Sequence, residues 1–305
     1  MQVSRLARSF LYNAGLIFTL LLLVFLIFSA LPSDPARLIL GVNASEEAVD
    51  ALRRELNLDR PLYERFGIYL SDLAQLEFGT SFVTRRPVAP AILTAAGATF
   101  TYVGWALLYG VLYSLITAVL AYFGHRRTRS VVQAINNSFT SVPSLIVALG
   151  IGLFFLGFNV LGFVESSDLR NMLLASTALA VYPACTLSQI LIEESDAVRR
   201  KQYVTVARSA GFSERRIFGA VVLRNALLPW LAQLSNVAAA LVAGSVIVEV
   251  VFSLPGLGRL VLQSVLRQDF PMIQGVVLVT SISFLLLNFV TEQVYLRLFP
   301  HSDER

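Results

Sequence analysis

The stretch "YVTVARSAGFSERRIFGAVVLRNALLP" (Tyr203–Pro229) interrupts a chain that is otherwise apolar enough for a lipid bilayer. It carries Arg208, Arg215, Arg216 and Arg224, a glycine near its middle and a proline at its end. The charge-free run Asn171–Ile192 precedes it, and it leads into another, Asn225–Val248. Outward from there the pattern repeats. Phe10–Leu31, Pro87–Gly124, Ser130–Val164 and Phe270–Thr291 also lack Asp, Glu, Lys and Arg. A helix needs about 20 apolar residues to cross about 30 Å of hydrocarbon, so each run holds a span. Only 14% of the 305 residues are charged and 56% are hydrophobic, far from the roughly 25% charged of soluble domains. The expected fold is an all-α polytopic membrane protein with six transmembrane helices. Pro87–Gly124 and Ser130–Val164 are read as single long helices that tilt or project, because splitting either leaves a bare turn at membrane depth.

Arg5 and Arg8 precede the first run, as in a signal peptide. Its 22 residues exceed the 7–15 of a signal core, and Phe28-Ser29-Ala30 is a poor cleavage site, so it reads as a retained helix. The single cysteine, Cys185, reads as a small buried hydrophobe within the fourth span. The net charge of +4 does not point to nucleic acid, because the basic residues sit in interhelical loops where they set topology. With the N-terminus in the cytoplasm, Arg126, Arg127, Arg129 and the basic residues of 193–224 lie inside. The short outside loops then hold only Arg170, Arg259 and Arg267. Both termini and the opening stretch are therefore expected in the cytoplasm.

Three regions result: 1–31 with the first span, 32–93 outside, and a transport core 94–305 containing the cytoplasmic loop 193–229. In the outer segment Ser45 can cap a helix begun by Glu46 and Glu47, with Leu52 and Leu56 on one face. Pro61 suits the first position of a second helix bearing Leu62, Phe66, Tyr69, Leu70 and Leu73. Two short amphipathic helices on the outer face would either receive a partner or lie as a lid on the spans.

Much chemistry is missing. A Walker A phosphate loop ends in Gly-Lys-Ser/Thr, and the only lysine, Lys201, stands between Arg200 and Gln202. His125 and His301 stand alone, which removes histidine triads and histidine metal clusters. No catalytic, cofactor-binding or metal-ligating residue is expected. The six runs contain no charge for an ion relay. Glu249, at the end of the fifth run, reads as a cap or interhelical pair rather than a solute ligand. Neutral polar stripes remain: Tyr102, Tyr109 and Tyr113; Asn136, Thr140 and Ser144; Gln274, Ser281 and Asn288. Each shares a helix face. They are packing glue or the lining of a translocation path.

In the loop, Ser195 and Asp196 can begin a helix that runs to about Ala210. Gly211 suits the left-handed position beyond a helix end. Ser213 can cap the next helix, Glu214 favours its positive end, and Phe212 can staple to Ile217. Ala207 and Gly211 are small enough for another surface to approach. A six-span protein without an ATP site but with such a loop suggests an engine in another chain.

The stretch Tyr203–Pro229 resembles the EAA loop of membrane permeases from bacterial ABC importers, with Ala207, Ala210, Gly211, Leu228 and Pro229 matching. The usual Glu-Ala-Ala opening is Val206-Ala207-Arg208 here, close to the Thr-Ala-Arg common in the oligopeptide, dipeptide and nickel branch of the binding-protein-dependent transport family. "LPSDPARLILG" (Leu31–Gly41), "LRRELNLDRPLYERF" (Leu52–Phe66) and "FGTSFVTRRPV" (Phe78–Val88) are similar to that branch. So are "VEVVFSLPGLGRL" (Val248–Leu260) and "RQDFPMIQG" (Arg267–Gly275). Ala95–Thr99, in place of Leu-Pro-x-Thr-Leu, and Phe299-Pro300-His301, in place of Asp-Pro-Arg, depart from it.

The resemblance implies a type I ABC importer permease fold in the bacterial inner membrane. It implies a homologous second permease, two cytoplasmic ATPase subunits that hold ATP and Mg²⁺, and an extracytoplasmic solute-binding protein. ATPase coupling would fall to Val204, Ala207, Arg208, Ala210, Gly211, Phe212, Ser213, Glu214 and Arg215. Di- or oligopeptides are the first solutes to expect, with nickel or metal–chelator complexes as the alternative. An ion-coupled transporter or channel working alone, and a structural membrane anchor, are the rivals from other classes.

Overall fold

A computed structural model of the chain describes residues 2–30, 34–41, 43–157 and 169–298. Ser33, Glu165 and His301 fall outside them, as does the side chain of Ser144. The described residues are helical apart from turns and one isolated bridge between Thr80 and Pro87. In order the helices are α1 (Gln2–Ser29), α2 (Pro35–Leu40), α3 (Glu46–Glu55), α4 (Leu62–Ala74), α5 (Val88–Phe123), α6 (Arg126–Thr140) and α7 (Ser144–Gly157). There follow α8 (Leu169–Arg199), α9 (Gln202–Ser209), α10 (Glu214–Ile217), a π-helical segment Phe218–Leu223, α11 (Arg224–Val251), α12 (Leu257–Leu266) and α13 (Phe270–Leu298). Among the described residues four helices are long and apolar enough to cross a bilayer, and the bent pair α6–α7 is either a broken fifth span or a re-entrant loop. α1 occupies the first run and carries a shorter apolar stretch, Ala14–Ser29.

The second run forms one helix, α5, whose 36 residues reach roughly 54 Å. The third run does not. It breaks at Ser141–Pro143 and turns by 106° between α6 and α7. Pro143 has no N–H to continue the ladder, and a residue before proline avoids the α region. The expectation of a bare turn fails because side chains cover the freed carbonyls. The Thr140 hydroxyl donates to the Asn136 carbonyl at 2.9 Å and the Ser141 hydroxyl to that of Asn137 at 2.8 Å.

The chain forms two compact units. The first comprises Met1–Gly97 with Arg259–Leu285. Here the Ser45 hydroxyl caps α3 by accepting the Ala48 amide at 3.3 Å, with Glu46 and Glu47 in the first turn. Pro61 is the residue before α4 rather than its first. Asp34 caps α2 through the Ala36 amide and accepts two hydrogen bonds from Arg53, tying α2 to α3. Burial pushes the Asp34 carboxyl up, but the bonds from Arg53 and Ala36 outweigh it and hold it below the usual carboxylate range. Phe66 and Tyr69 of α4 pack on Phe25 of α1 at ring distances of 5.2 and 5.8 Å, while Tyr63 is 75% exposed. So α4 lies as a lid with one face and leaves the other open. Burial pushes the Tyr69 phenol up to about 12. The buried Asp269 accepts the Ser81 hydroxyl at 2.5 Å and the Phe82 amide at 3.0 Å, locking two family-like segments together.

The second unit comprises Ala98–Gly258 with Leu286–Arg305. Its hub is α8, with 67% of its apolar stretch buried against 39% for α5. Leu187 and Leu191 are fully buried there, and Cys185 is a buried free cysteine. Glu249 is also fully buried. The Thr99 hydroxyl of α5 donates to its carboxylate at 2.6 Å and accepts the Leu257 amide at 2.8 Å. Glu249 thus joins α5, α11 and the following turn, an interhelical pairing as expected.

Candidate functional site

The loop around Gly211 is built of two helix ends. α8 runs on through Ser195 and Asp196 to Arg199, so no new helix begins there. The chain breaks at Arg200–Lys201 and restarts as α9. α9 ends in a Schellman motif: the Phe212 amide bonds to the Ala207 carbonyl and the Gly211 amide to that of Arg208. Gly211 has φ +82°, the left-handed conformation that closes this motif. Ser213 takes the cap conformation of α10 (φ −65°, ψ 148°), but its hydroxyl makes no cap hydrogen bond. Ile217 is buried, whereas Phe212 is 43% exposed with the Arg216 guanidinium 4.7 Å over its ring.

α9 has two faces. Val204 is fully buried and Ala207 turns inward with it, against Tyr122, Val198, Ile217, Phe218 and Val222. Tyr203 and Val206, three residues apart, point out, at 48% and 67% exposure. Ala210, Gly211 and Phe212 continue that open surface, and a Cβ on Gly211 would meet nothing within 4 Å. Small, exposed and apolar residues at a helix end make a surface suited to another protein.

A clamp joins this loop to the long helices. Glu214 accepts from Arg208 at 2.5 Å with one oxygen and from the Tyr122 hydroxyl at 3.0 Å with the other. The hydrogen bond that Arg208 donates to Glu214 raises the pKa of Arg208. Arg199, at the end of α8, lies 4.7 Å over the Tyr122 ring, and Phe218 packs on it at 4.6 Å. Arg208 and Glu214 therefore bond to each other, while Arg215 is exposed. Tyr122, Arg199, Tyr203 and Val206 are not among the coupling residues the sequence leads one to expect. The spacing of Tyr203 and Val206 on one face of α9 was a usable signal, and the position of Tyr122, about 90 residues away in sequence, was not.

The polar stripes are drawn largely into interhelical bonds. Tyr113 donates to Asn136 at 3.0 Å, Asn136 to Ser188 at 2.7 Å, and Ser188 shares a 2.6 Å bond with Thr117. That network links α5, α6 and α8, with Asn136 fully buried. Tyr102 donates to the Pro255 carbonyl at 2.9 Å, and Tyr109 packs near Trp105 at 6.1 Å. Asn288 accepts from Ser235 at 2.5 Å, and Ser281 is half-buried. Gln274 lines a cavity of about 600 Å³ in the first unit, beside Tyr69, Asp72 and Phe270. Within the second unit, Tyr113 and Asn136 meet, while Tyr102 and Asn288 bond to separate partners.

Known proteins share the sequence pattern and the fold of this chain. Residues 110–302 match the family described as binding-protein-dependent transport system inner membrane component, and residues 3–102 match its N-terminal companion family. The chain belongs to this family: it is the membrane permease subunit of an ABC importer, a multi-pass inner-membrane protein that is not itself an enzyme. The ATPase is a separate subunit, and the family works with a solute-binding protein.

Among individual relatives, the glutathione transport system permease protein GsiC of Escherichia coli strain K12 is 34% identical over 294 residues, 94% of this chain and 95% of its own. The protein of the same name from Shigella boydii serotype 4 gives the same figures. Two solved structures share the fold at 20% identity. They are an amino acid ABC transporter crystallised with histidines (TM-score 0.58) and the inward-facing MetNI methionine ABC transporter (0.57). Each covers 68% of this chain, and this chain covers 94% and 95% of them respectively.

Proposed function

We propose that this chain forms half of the translocation path of an ATP-driven importer for a small peptide-like solute, with glutathione and short peptides the first to test. The observation that supports it most is the likeness to glutathione permeases along nearly the whole chain. A homologous permease stands beside it, two ATPases dock from the cytoplasm, and a binding protein delivers solute outside. Both termini are cytoplasmic, in keeping with the arginine-rich short loops.

The ATPase contacts Tyr203, Val206, Ala210, Gly211 and Phe212 with the start of α10. Val204, Ala207, Arg208, Ser213, Glu214 and Arg215 complete the coupling loop, the buried ones from within. A pull on α9 passes through Glu214 and Tyr122 to α5 and through Arg199 to α8. ATP-driven closure in one chain can bias an inward-open to outward-open equilibrium in another only through such a rigid joint. The test is uptake of labelled reduced glutathione by cells expressing the intact transporter, with unlabelled di- and tripeptides and nickel as competitors. Competition by glutathione or short peptides is expected. Uptake that only nickel or a metal chelate competes for contradicts the peptide reading.

A further inference from the structure

Polar side chains left open on transmembrane helices are costly against lipid and so face protein or water. The second unit has such a set. On α6, Asn137 is exposed one position from the buried Asn136, and Ser141, just past the end of α6, is exposed one turn later. On α8, Tyr182 is 44% exposed, with the half-buried Gln189 two turns on. On α11, Asn236 is exposed beside Gln233. Gln189 donates to Asn137 at 2.6 Å and Asn236 donates to Gln233 at 3.2 Å.

Each of these amides lies about two to three turns inward of an arginine on its own helix. Asn137 stands about 16 Å along α6 from Arg126, Gln189 about 15 Å along α8 from Arg199, and Gln233 about 13 Å along α11 from Arg224, at 1.5 Å per residue. Just beyond them a cavity of about 400 Å³ opens at the α6–α7 break, lined by Ser141, Pro143, Tyr182, Pro183, Ala240 and Gly244 among others. That volume is in the range of small-molecule sites.

The chemistry of the pairs selects a ligand. A carboxamide has one acceptor oxygen and two donor hydrogens. Each pair uses one donor and one oxygen on itself. Among the described residues each leaves a carboxamide oxygen and an NH₂ without a further bond, on Gln189 and Asn137 in one pair and on Asn236 and Gln233 in the other. A peptide group offers the complement, one N–H and one C=O. The strip is uncharged, so it reads the peptide unit and not the terminal charges.

We propose that Asn137, Gln189, Gln233 and Asn236, with Tyr182 and Ser141 at the cavity, form the surface over which the solute's peptide groups pass. This rests on the peptide-like solute proposed above. The buried stripe beside it then serves as the scaffold that holds the strip in place.

The test uses the complete importer in proteoliposomes. The paired change Asn137→Leu with Gln189→Leu, and separately Asn236→Leu, keep size and remove the amides. Uptake per ATP hydrolysed should fall about tenfold, the equivalent of one lost hydrogen bond to the moving solute, while binding-protein-stimulated ATPase and subunit recovery stay at the wild-type level. Ser141→Cys and Asn236→Cys, in a Cys185→Ala background, should react with a membrane-impermeant maleimide. Wild-type uptake from the leucine variants overturns the proposal, as a lipid-facing strip would give. Loss of the partner permease on purification also overturns it, because the strip would then be a subunit interface. A wild-type importer that carries only a non-peptide solute overturns the solute reading, and it does so before any variant is made.

Discussion

A methyl group at Gly256 is the smallest change that probes the buried carboxylate. Its Cβ would stand 2.1 Å from Glu249 Cδ and 2.3–2.4 Å from both carboxylate oxygens. At Gly258 it would stand 2.3 Å from the Val246 Cα. The Leu-Pro-Gly-Leu-Gly run is thus glycine-bearing because the turn after α11 folds onto α11 and Glu249. Gly256→Ala is expected to cost about 1–3 kcal/mol through overpacking, read as a lower melting temperature of the purified protein. Gly104→Ala, on a helix with nothing within 4 Å, should leave it unchanged or raise it. At Asp34 the sign of the pH effect follows from its lowered pKa. The contribution is present above the unfolded carboxylate value of about 3.9 and is lost as pH falls through the lower folded value. Hydrogen exchange of the α3 amides should therefore speed up on acidification below about pH 4, and Asp34→Asn should show the faster exchange already at neutral pH.

At the scale of elements, the proposed coupling role requires the loop to move as one piece with the ends of α5 and α8, and the clamp through Glu214, Tyr122 and Arg199 is what ties them. Glu214→Gln and Tyr122→Phe should each preserve subunit assembly and lower uptake per ATP hydrolysed several-fold. The double exchange Arg208→Glu with Glu214→Arg should recover more uptake than either single change. Unchanged coupling in Glu214→Gln assigns the ion pair to the surface alone, where such pairs contribute little. Asn136→Leu should destabilise by about 1–3 kcal/mol, because Tyr113 and Ser188 lose a buried partner.

Helix periodicity and caps made much of this legible. The runs marked α5, α8, α11 and α13, and Ser45, Gly211 and the α9–α10 turn announced themselves through local rules. The α6–α7 bend did not, although Pro143 was visible. The hydroxyls of Thr140 and Ser141 satisfy the turn, and that compensation is a matter of geometry. Likewise Asn136 and Asn137 look alike in sequence, and only packing separates the buried scaffold amide from the exposed one. The clamp partner Tyr122 could not be read locally, since its contact with Glu214 joins distant parts of the chain.

For the whole molecule, the account divides labour among chains. On the proposed function this one supplies spans, a joint and half of a path, and its energy comes from an ATPase proposed to sit on Tyr203, Val206 and Phe212. A charge in that apolar surface should break the drive without breaking the fold, since Val206 is 67% exposed. The most direct measurement is glutathione accumulation in proteoliposomes holding this chain with its partner permease, ATPases and binding protein, with and without ATP, for the wild type and Val206→Asp. The account predicts ATP-dependent accumulation in the wild type, none when the ATPase is left out, and a loss in Val206→Asp that accompanies loss of the bound ATPase. Accumulation by this chain alone, or accumulation indifferent to ATP, would contradict it.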